Sequence, residues 1–368
     1  MSRYAFALAD LADDAALRER MAADWMRGTL SVSFRREPSY FAGCALQGER
    51  AQVIKCVDTT DGRLVGMGCR SLGRVWLNGQ QVRVGYLSDL RGAPEVRRGT
   101  LLARGYRLLQ QLHEADPLPL YYTMILDGNE AALSALTGSR AGLPTYSDLG
   151  RMLTPALHLD LPRRRRRLPA LRCRRAGEAD LGRLTAFLQQ RHASRQFAPV
   201  WDVERLMAPG AGRLRLGDFW LAERGDDLVA TLAAWDQHAV RQTHIEAYSP
   251  GLALLRPFWN LLATVSPLKP LPAVGARVPY LYFSALAAAD DDPDLLRALF
   301  EQVYQSLRQG PWHYAIAGLH ERDPLAVVLA DFRQIKAAGR LFAVHYADGA
   351  DAFAALDGRV PYVDMGTI

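Results

Sequence analysis

YLSDLRGAPEVRRGTLLARGY, residues 86–106, decides how this chain is read. It runs as a strand, a break at Gly92-Ala93-Pro94, two adjacent arginines with Gly-Thr, and then a helix. Helix N-termini present unpaired N–H groups and a partial positive charge, which suits phosphate. Arg97, Arg98, Gly99 and Thr100 stand where those N–H groups emerge. Gly99 permits close backbone approach, and the arginines add charge-assisted hydrogen bonds. A fold needs neither cation there, whereas an anionic ligand uses both.

Upstream, Gly92 is the expected point for a bulge that pulls the strand from its neighbour. A strand splayed open there leaves backbone groups able to pair with an amide-bearing chain. A pyrophosphate attached to a chain of amides describes coenzyme A.

The surrounding elements form one unit. Tyr4–Leu8 reads as a strand, followed by a helix with Leu17, Met21 and Trp25 at i, i+4 and i+8. A short helix is expected around residues 38–46. VIKCV (53–57), LVGMG (64–68), VWL (75–77) and QVRVGYLSDL (81–90) then form an antiparallel meander, with Asn78-Gly79 as a two-residue hairpin signal. A helix over about 100–113, a strand at 120–126 and a helix from about Asn129 complete the order β, α, α, three antiparallel strands, α, β, α.

With those residues in place, the stretch resembles motif A of the Gcn5-related N-acetyltransferases, where a strand leads through V-x-P to R-x-x-G-x-G/A at a helix start. Gly92-Ala93-Pro94 takes the V-x-P place and Arg97 the arginine place, while Asn129-Glu130-Ala131-Ala132 resembles the family's N-x-x-A helix start. The family's two small residues fall on Thr100 and Leu102, so the glycine pattern departs from the motif. The resemblance covers roughly residues 1–155 well. It implies acetyl-CoA as co-substrate, with Leu90, Arg91 and Gly92 holding the thioester and pantetheine arm. Arg97, Arg98, Gly99, Thr100, Leu101 and Leu102 would hold the phosphates, and Asn129 would complete the binding set.

Acetyl transfer to an amine needs a deprotonated nucleophile, an oxyanion stabiliser and a proton source for the thiolate. Asp89 is the nearest carboxylate and the candidate base. Arg91, two residues on, projects from the same face, and an ion pair between them would make Asp89 a poor base. The family's tyrosine acid would fall on Leu136, so water protonates the thiolate or Tyr121 or Tyr122 substitutes, and Tyr122 is chosen with Asp89 as the catalytic pair.

The five arginines of LPRRRRRLPA (161–170) lie between prolines and read as a linker. Beyond them, LRCRRAGEADLGRLTAFLQQ repeats the opening strand and helix, and Gly225-Asp226 marks a hairpin. Tyr86 falls on Tyr280, Leu101 on Leu295 and Asn129 on Asp323, each pair 194 apart, as a duplicated domain requires. Arg97 and Arg98 then map to Asp291 and Asp292 within DDDPD. Carboxylates cap a helix well but repel a pyrophosphate. The expected architecture is α+β: two tandem Gcn5-related domains, each a mixed, mostly antiparallel sheet flanked by helices. The domains are residues 1–160, which bind acetyl-CoA, and 171–368, a degenerate copy.

The 368 residues carry a net charge of +6, almost all of it arginine against lysine only at 55, 269 and 336, which suggests a GC-rich bacterial coding bias. Cys44, Cys56, Cys69 and Cys173 show no CxxC spacing, and His238 and His244 no zinc spacing, so no metal is expected. No leader pattern or apolar run of roughly 18 residues is present, and the expectation is a cytoplasmic protein with no membrane partner. Nucleic acid is not an expected partner, since the arginine run lacks interleaved aromatics. Two readings remain from different classes: an N-acetyltransferase acting on an unidentified small-molecule or peptide amine, or a non-catalytic acyl-CoA-binding or protein-interaction module.

Overall fold

The computed structural model describes residues 2–96, 101–138, 142–162 and 168–368. Arg97, Arg98, Gly99, Thr100 and the arginine run 163–167 therefore lie outside the described residues. At the Asn78-Gly79 hairpin both residues have positive φ, 50° and 80°, as a type I′ turn requires. The turn joins two long strands, Leu64–Leu77 and Gln80–Gly92; LVGMG and VWL are parts of one strand. Helix Asp14–Ala22 buries Leu17 and Met21 but ends before Trp25, which lies exposed on the short strand Trp25–Met26.

The first sheet is ordered Tyr4–Leu8, Arg50–Asp58, Leu64–Leu77, Gln80–Gly92, Tyr121–Leu126, Ala338–His345, Thr145–Leu153, Leu319–His320. The second is ordered Arg172–Arg175, Phe219–Arg224, Asp227–Trp235, Tyr280–Ala288, Tyr314–Ala317, Ala156–His158, Gln334–Ile335. Both are antiparallel except at one central pairing. Strands are exchanged across the expected boundary near 160. Ala338–His345 lies between two strands of the first half, and Ala156–His158 joins the second sheet. A third, three-stranded sheet pairs Gln242–Tyr248 with Leu30–Arg35, and that strand with Trp25–Met26.

The parallel pairing in the first sheet positions the site. Gln80–Gly92 and Tyr121–Leu126 share only two ladder pairs, Gly85 with Tyr121 and Tyr86 with Tyr122. A Cβ on Gly85 would fall 2.2 Å from the Tyr121 ring, so glycine is required where the strands come closest. Past Tyr86 the ladder stops, and the Thr123 hydroxyl donates to the Leu87 carbonyl at 2.7 Å. The strands then diverge as a fork.

The bulge expected at Gly92 lies instead at Asp89. Met67 pairs with Arg91 and Cys69 with Ser88, so Asp89 and Leu90 together face Gly68, and Asp89 takes φ 53°. Aspartate tolerates this left-handed conformation better than most residues. The second sheet repeats the device at Ala285, φ 51°, between the pairs Ala233–Ser284 and Thr231–Ala287. Asp89 and Ala285 are 196 apart, whereas Asn129 and Asp323, which each cap the element that follows, are 194 apart. The uniform 194 offset is thus corrected: the second copy is two residues shorter between bulge and cap.

Candidate active site

Three of the expected donor-binding residues, Leu90, Arg91 and Gly92, lie on the strand end at and beyond the bulge. Leu90 is exposed there, Arg91 and Gly92 are half-buried, and Leu101 and Leu102 open the described part of helix Leu101–Ala115. Leu102 packs into the core beside Tyr106 and Leu109. Asn129 lines a small cavity of about 130 Å³ with Ile125, Leu133 and Arg340, and no residue of strand Gln80–Gly92 borders it. The Asn129 side-chain oxygen accepts from the Ala132 N–H at 3.2 Å, so its first role is to cap helix Glu130–Thr137.

Asp89 does not pair with Arg91 in the expected way. Its carboxylate lies 2.6 Å from Arg36, a fully buried guanidinium, and accepts from the Tyr40 hydroxyl at 2.8 Å. Arg91 instead lies 3.9 Å from Asp24. The left-handed turn at Asp89 breaks the strand's alternation, which is why a same-face argument misassigned the partner. Burial pushes the Asp89 carboxyl up, but Arg36, then Arg91 and the Tyr40 hydroxyl outweigh it and hold it below its ordinary value. Arg36 also donates to Gln47 at 3.0 Å.

The two expected tyrosine candidates separate cleanly. The Tyr121 hydroxyl is tied to Arg70 at 3.1 Å and His113 at 2.9 Å in the core under helix Leu101–Ala115. Tyr122 faces the other side of the sheet, with its ring 4.9 Å from Tyr86 and 5.6 Å from Phe197. Burial raises both the Tyr86 and Tyr122 phenols far above the ordinary value, so both stay protonated. Leu136, at the position of the family's tyrosine, is packed in the core.

Tyr86 and Tyr122, the last ladder pair before the fork, also line a cavity of about 470 Å³ between the two halves. Gln47 and Ser71 line it from the first half; Trp201, Glu204, Arg205, Arg213 and Trp235 line it from the second. Arg205 stacks over Trp201 at 4.2 Å and donates to the Val200 carbonyl. Burial pulls its guanidinium below the ordinary value. Among the described residues, neither Arg205 nor Arg213 has a carboxylate within salt-bridge distance, whereas Arg74 pairs with Glu49 and Asp202. Sequence reading missed all of these second-half residues, because nothing local signals that they meet the first sheet.

The second fork is closed by the chain itself. The Asp364 carboxylate accepts from the Ala285 N–H at 2.7 Å, and the Tyr362 hydroxyl accepts from the Leu286 N–H at 3.0 Å. By the bulge register, these amides correspond to those of Asp89 and Leu90. At the helix mouth, Asp291 is bound by Arg195 at 2.6 Å, and Asp292 caps helix Pro293–Leu307. Thr367, three residues past Asp364, lines the cavity.

Two interlocked sheets, each with a short parallel pairing and a bulged fork, carry the comparison with known structures. N-myristoyltransferase of Saccharomyces cerevisiae with bound myristoyl-CoA aligns over 94% of this chain and 80% of its own, at TM-score 0.60 and 10% identity. The chain has the fold of N-myristoyltransferase. A second structure of that yeast protein with bound myristoyl-CoA gives TM-score 0.59 and 11% identity over 94% of this chain and 83% of its own. A Gcn5-related N-acetyltransferase from Anabaena variabilis aligns over 93% of this chain and 72% of its own, at TM-score 0.49 and 10% identity. The mixed, mostly antiparallel α+β architecture expected from the sequence, with sheets flanked by helices, is the one observed. No protein-family model and no curated protein matches the sequence. Among the described residues no cluster of metal-ligating side chains occurs, and no helix is long and apolar enough to cross a membrane.

Proposed function

We propose that the chain is an N-acyltransferase that binds one acyl-CoA, with acetyl-CoA the first donor to test, in the fork of the first sheet. The acyl group passes to an amine held in the cavity between the halves. One observation carries this reading: the second fork is plugged by Tyr362 and Asp364, while no such plug meets Asp89 and Leu90 among the described residues. The unplugged bulge suits the amides of a pantetheine arm, and Arg97 and Arg98 follow it in sequence.

The amine nitrogen attacks the thioester carbonyl carbon, the C–S bond breaks, and coenzyme A leaves as a thiolate that takes up a proton. The bulge N–H groups are the proposed oxyanion donors. Tyr122, kept protonated by burial, is the proposed hydrogen-bond donor to the departing thiolate at the fork base, and water supplies the thiolate's proton. Asp89, held ionised against Arg36, fixes the bulge rather than acting as base. Glu204 lines the cavity with no ion-pair partner among the described residues and is the proposed acceptor, through water, of the amine's proton. Arg205 and Arg213 favour an amine that also bears an anionic group.

Calorimetric titration with acetyl-CoA tests the reading, with myristoyl-CoA as a second arm. One site per chain, followed by mass-spectrometric detection of an acylated amine, is the expected result. Binding without turnover on any amine would favour the non-catalytic acyl-CoA-binding module, and absence of binding to both donors overturns the proposal.

A further inference from the structure

Helix Pro250–Thr264 is built inside out. It contains no buried residue, and its inward contacts are polar. Arg256 donates to the Leu271 carbonyl, Trp259 to the Lys269 carbonyl, and the Asn260 side chain bonds both the N–H and the carbonyl of Leu271. These bonds tie down the loop that follows, so the helix orientation is fixed. The opposite face presents Leu254, Leu255, Phe258, Leu261, Leu262 and Val265 at 50% to 82% exposure. Their i, i+1, i+4, i+7, i+8, i+11 spacing makes one continuous stripe. Val274, in the loop that follows, is also 60% exposed. A contiguous apolar patch of this kind marks an interaction surface.

The charges around it select the partner. From residue 247 to residue 289 the sequence has no aspartate or glutamate, but it has Arg256, Lys269 and Arg277. Arg277 is exposed. Exposed Arg27 sits in the turn that abuts the helix start, where Ser249 N–H donates to the Thr29 carbonyl at 2.9 Å. Beside Arg27, Trp25 and Met26 are also exposed. An apolar stripe with an aromatic ring, flanked by cations and carried on a segment (247–289) without acids, has the chemistry of a helix lying in a membrane interface. A two-fold dimer through this face would set its cations against their own copies with no carboxylate of the segment to pair them.

We infer that the face of helix Pro250–Thr264 docks the protein on an anionic lipid surface. The helix lies in the headgroup layer with Phe258 and the leucines inserted, and Arg27 and Arg277 meet lipid phosphates. This goes beyond the acyl-transfer reading and does not depend on it.

Co-sedimentation of the full chain with phosphatidylcholine vesicles, with and without phosphatidylglycerol, tests it. Binding to the anionic vesicles is expected to be tighter by on the order of tenfold or more, and to weaken with salt. Leu255→Ser with Phe258→Ser and Leu262→Ser should reduce binding by at least about tenfold, with the thermal midpoint and the acyl-CoA titration unchanged because all three side chains are exposed. Arg27→Glu with Arg277→Glu, a pair that leaves the apolar stripe intact, should lose only the preference for anionic vesicles. Failure to pellet with anionic vesicles overturns the proposal, as does pelleting that the triple variant leaves unchanged. So does self-association abolished by the triple variant in a chain that ignores vesicles, which would mark a dimer face.

Discussion

The Arg36 guanidinium lies 2.6 Å from the Asp89 carboxylate, and this pair fastens the bulge of the first fork to the segment before helix Tyr40–Cys44. Removing one partner leaves the other charge buried and uncompensated, which costs about 3–5 kcal/mol. Arg36→Met is therefore expected to lower the urea midpoint sharply, and Arg36→Met with Asp89→Asn to recover part of the loss. Asparagine keeps the left-handed φ accessible. On activity, Asp89→Asn should lower kcat by about tenfold at most while leaving the pH profile in place. Loss of the profile's acidic limb would instead make Asp89 the base.

His192 and Asp89 both make stability fall on acidification, in different windows. Burial pulls His192 down to about 4 from 6.5. Between those values the unfolded chain binds a proton that the folded chain does not, so stability is complete above about pH 6.5 and is lost towards pH 4. The linkage amounts to roughly 3 kcal/mol. His313, also pulled down to about 4 by burial, acts with the same sign. Asp89, whose folded value is depressed, stabilises above its ordinary unfolded value and loses that contribution only as pH falls further. Thermal midpoints measured from pH 7.5 to 4.5 should fall steadily, and His192→Gln should remove about half of that slope. An unchanged slope in the variant would show that His192 is protonated in the folded chain.

How far these features could be read from sequence depends on range. Asn78-Gly79 and the Asn129 cap are set by neighbours in the chain and stand where local chemistry put them, whereas the expected order of elements omitted the strands Trp25–Met26 and Leu30–Arg35 between the first two helices. The bulge was expected three residues too late because glycine is the usual carrier of a left-handed φ, and here Asp89 takes it. Arg36, in the run Arg35-Arg36-Glu37, was not singled out from the sequence, because only the tertiary fold buries it. Arg205 and Arg213 reach the cavity where Ala198–Pro199 pairs with Val75–Trp76 of the first sheet, and Tyr362 and Asp364 reach the second fork from the C-terminal segment, contacts between residues distant in sequence that leave no local signature. The carboxylates of DDDPD, where a helix cap was expected, do supply one through Asp292, because capping chemistry is local.

The plug gives its own prediction. Asp364 is buried and accepts from Ala285 and Gly366 N–H groups. Asp364→Ala leaves both donors without that partner, which costs about 1–3 kcal/mol for each left unsatisfied. A Cβ on Gly366 would come within 2.4 Å of the Trp235 ring, so Gly366→Ala should also destabilise, by about 1–3 kcal/mol. Neither variant should gain a second acyl-CoA site in calorimetry, because Asp290 to Asp294 still face the helix mouth. A stoichiometry of two would show that the plug alone had closed the second fork.

The cavity arginines separate acceptor from donor. Arg97→Glu with Arg98→Glu should weaken acyl-CoA binding by at least about tenfold, since charge-assisted phosphate contacts become repulsive, with the melting curve intact. Arg213→Ala and Arg205→Ala should leave that binding unchanged and raise KM for an acidic amine by on the order of tenfold to a hundredfold, the loss of one charged hydrogen bond. Steady-state kinetics on paired amines, one with and one without a carboxylate, makes the comparison internal. Only the carboxylate-bearing amine should respond to Arg213→Ala. Arg205→Ala also removes the guanidinium stacked on Trp201 and should slow both amines if that ring shapes the cavity. If Arg213→Ala raised KM equally for the two amines, the cavity would be reading shape, and the acceptor would need no anionic group.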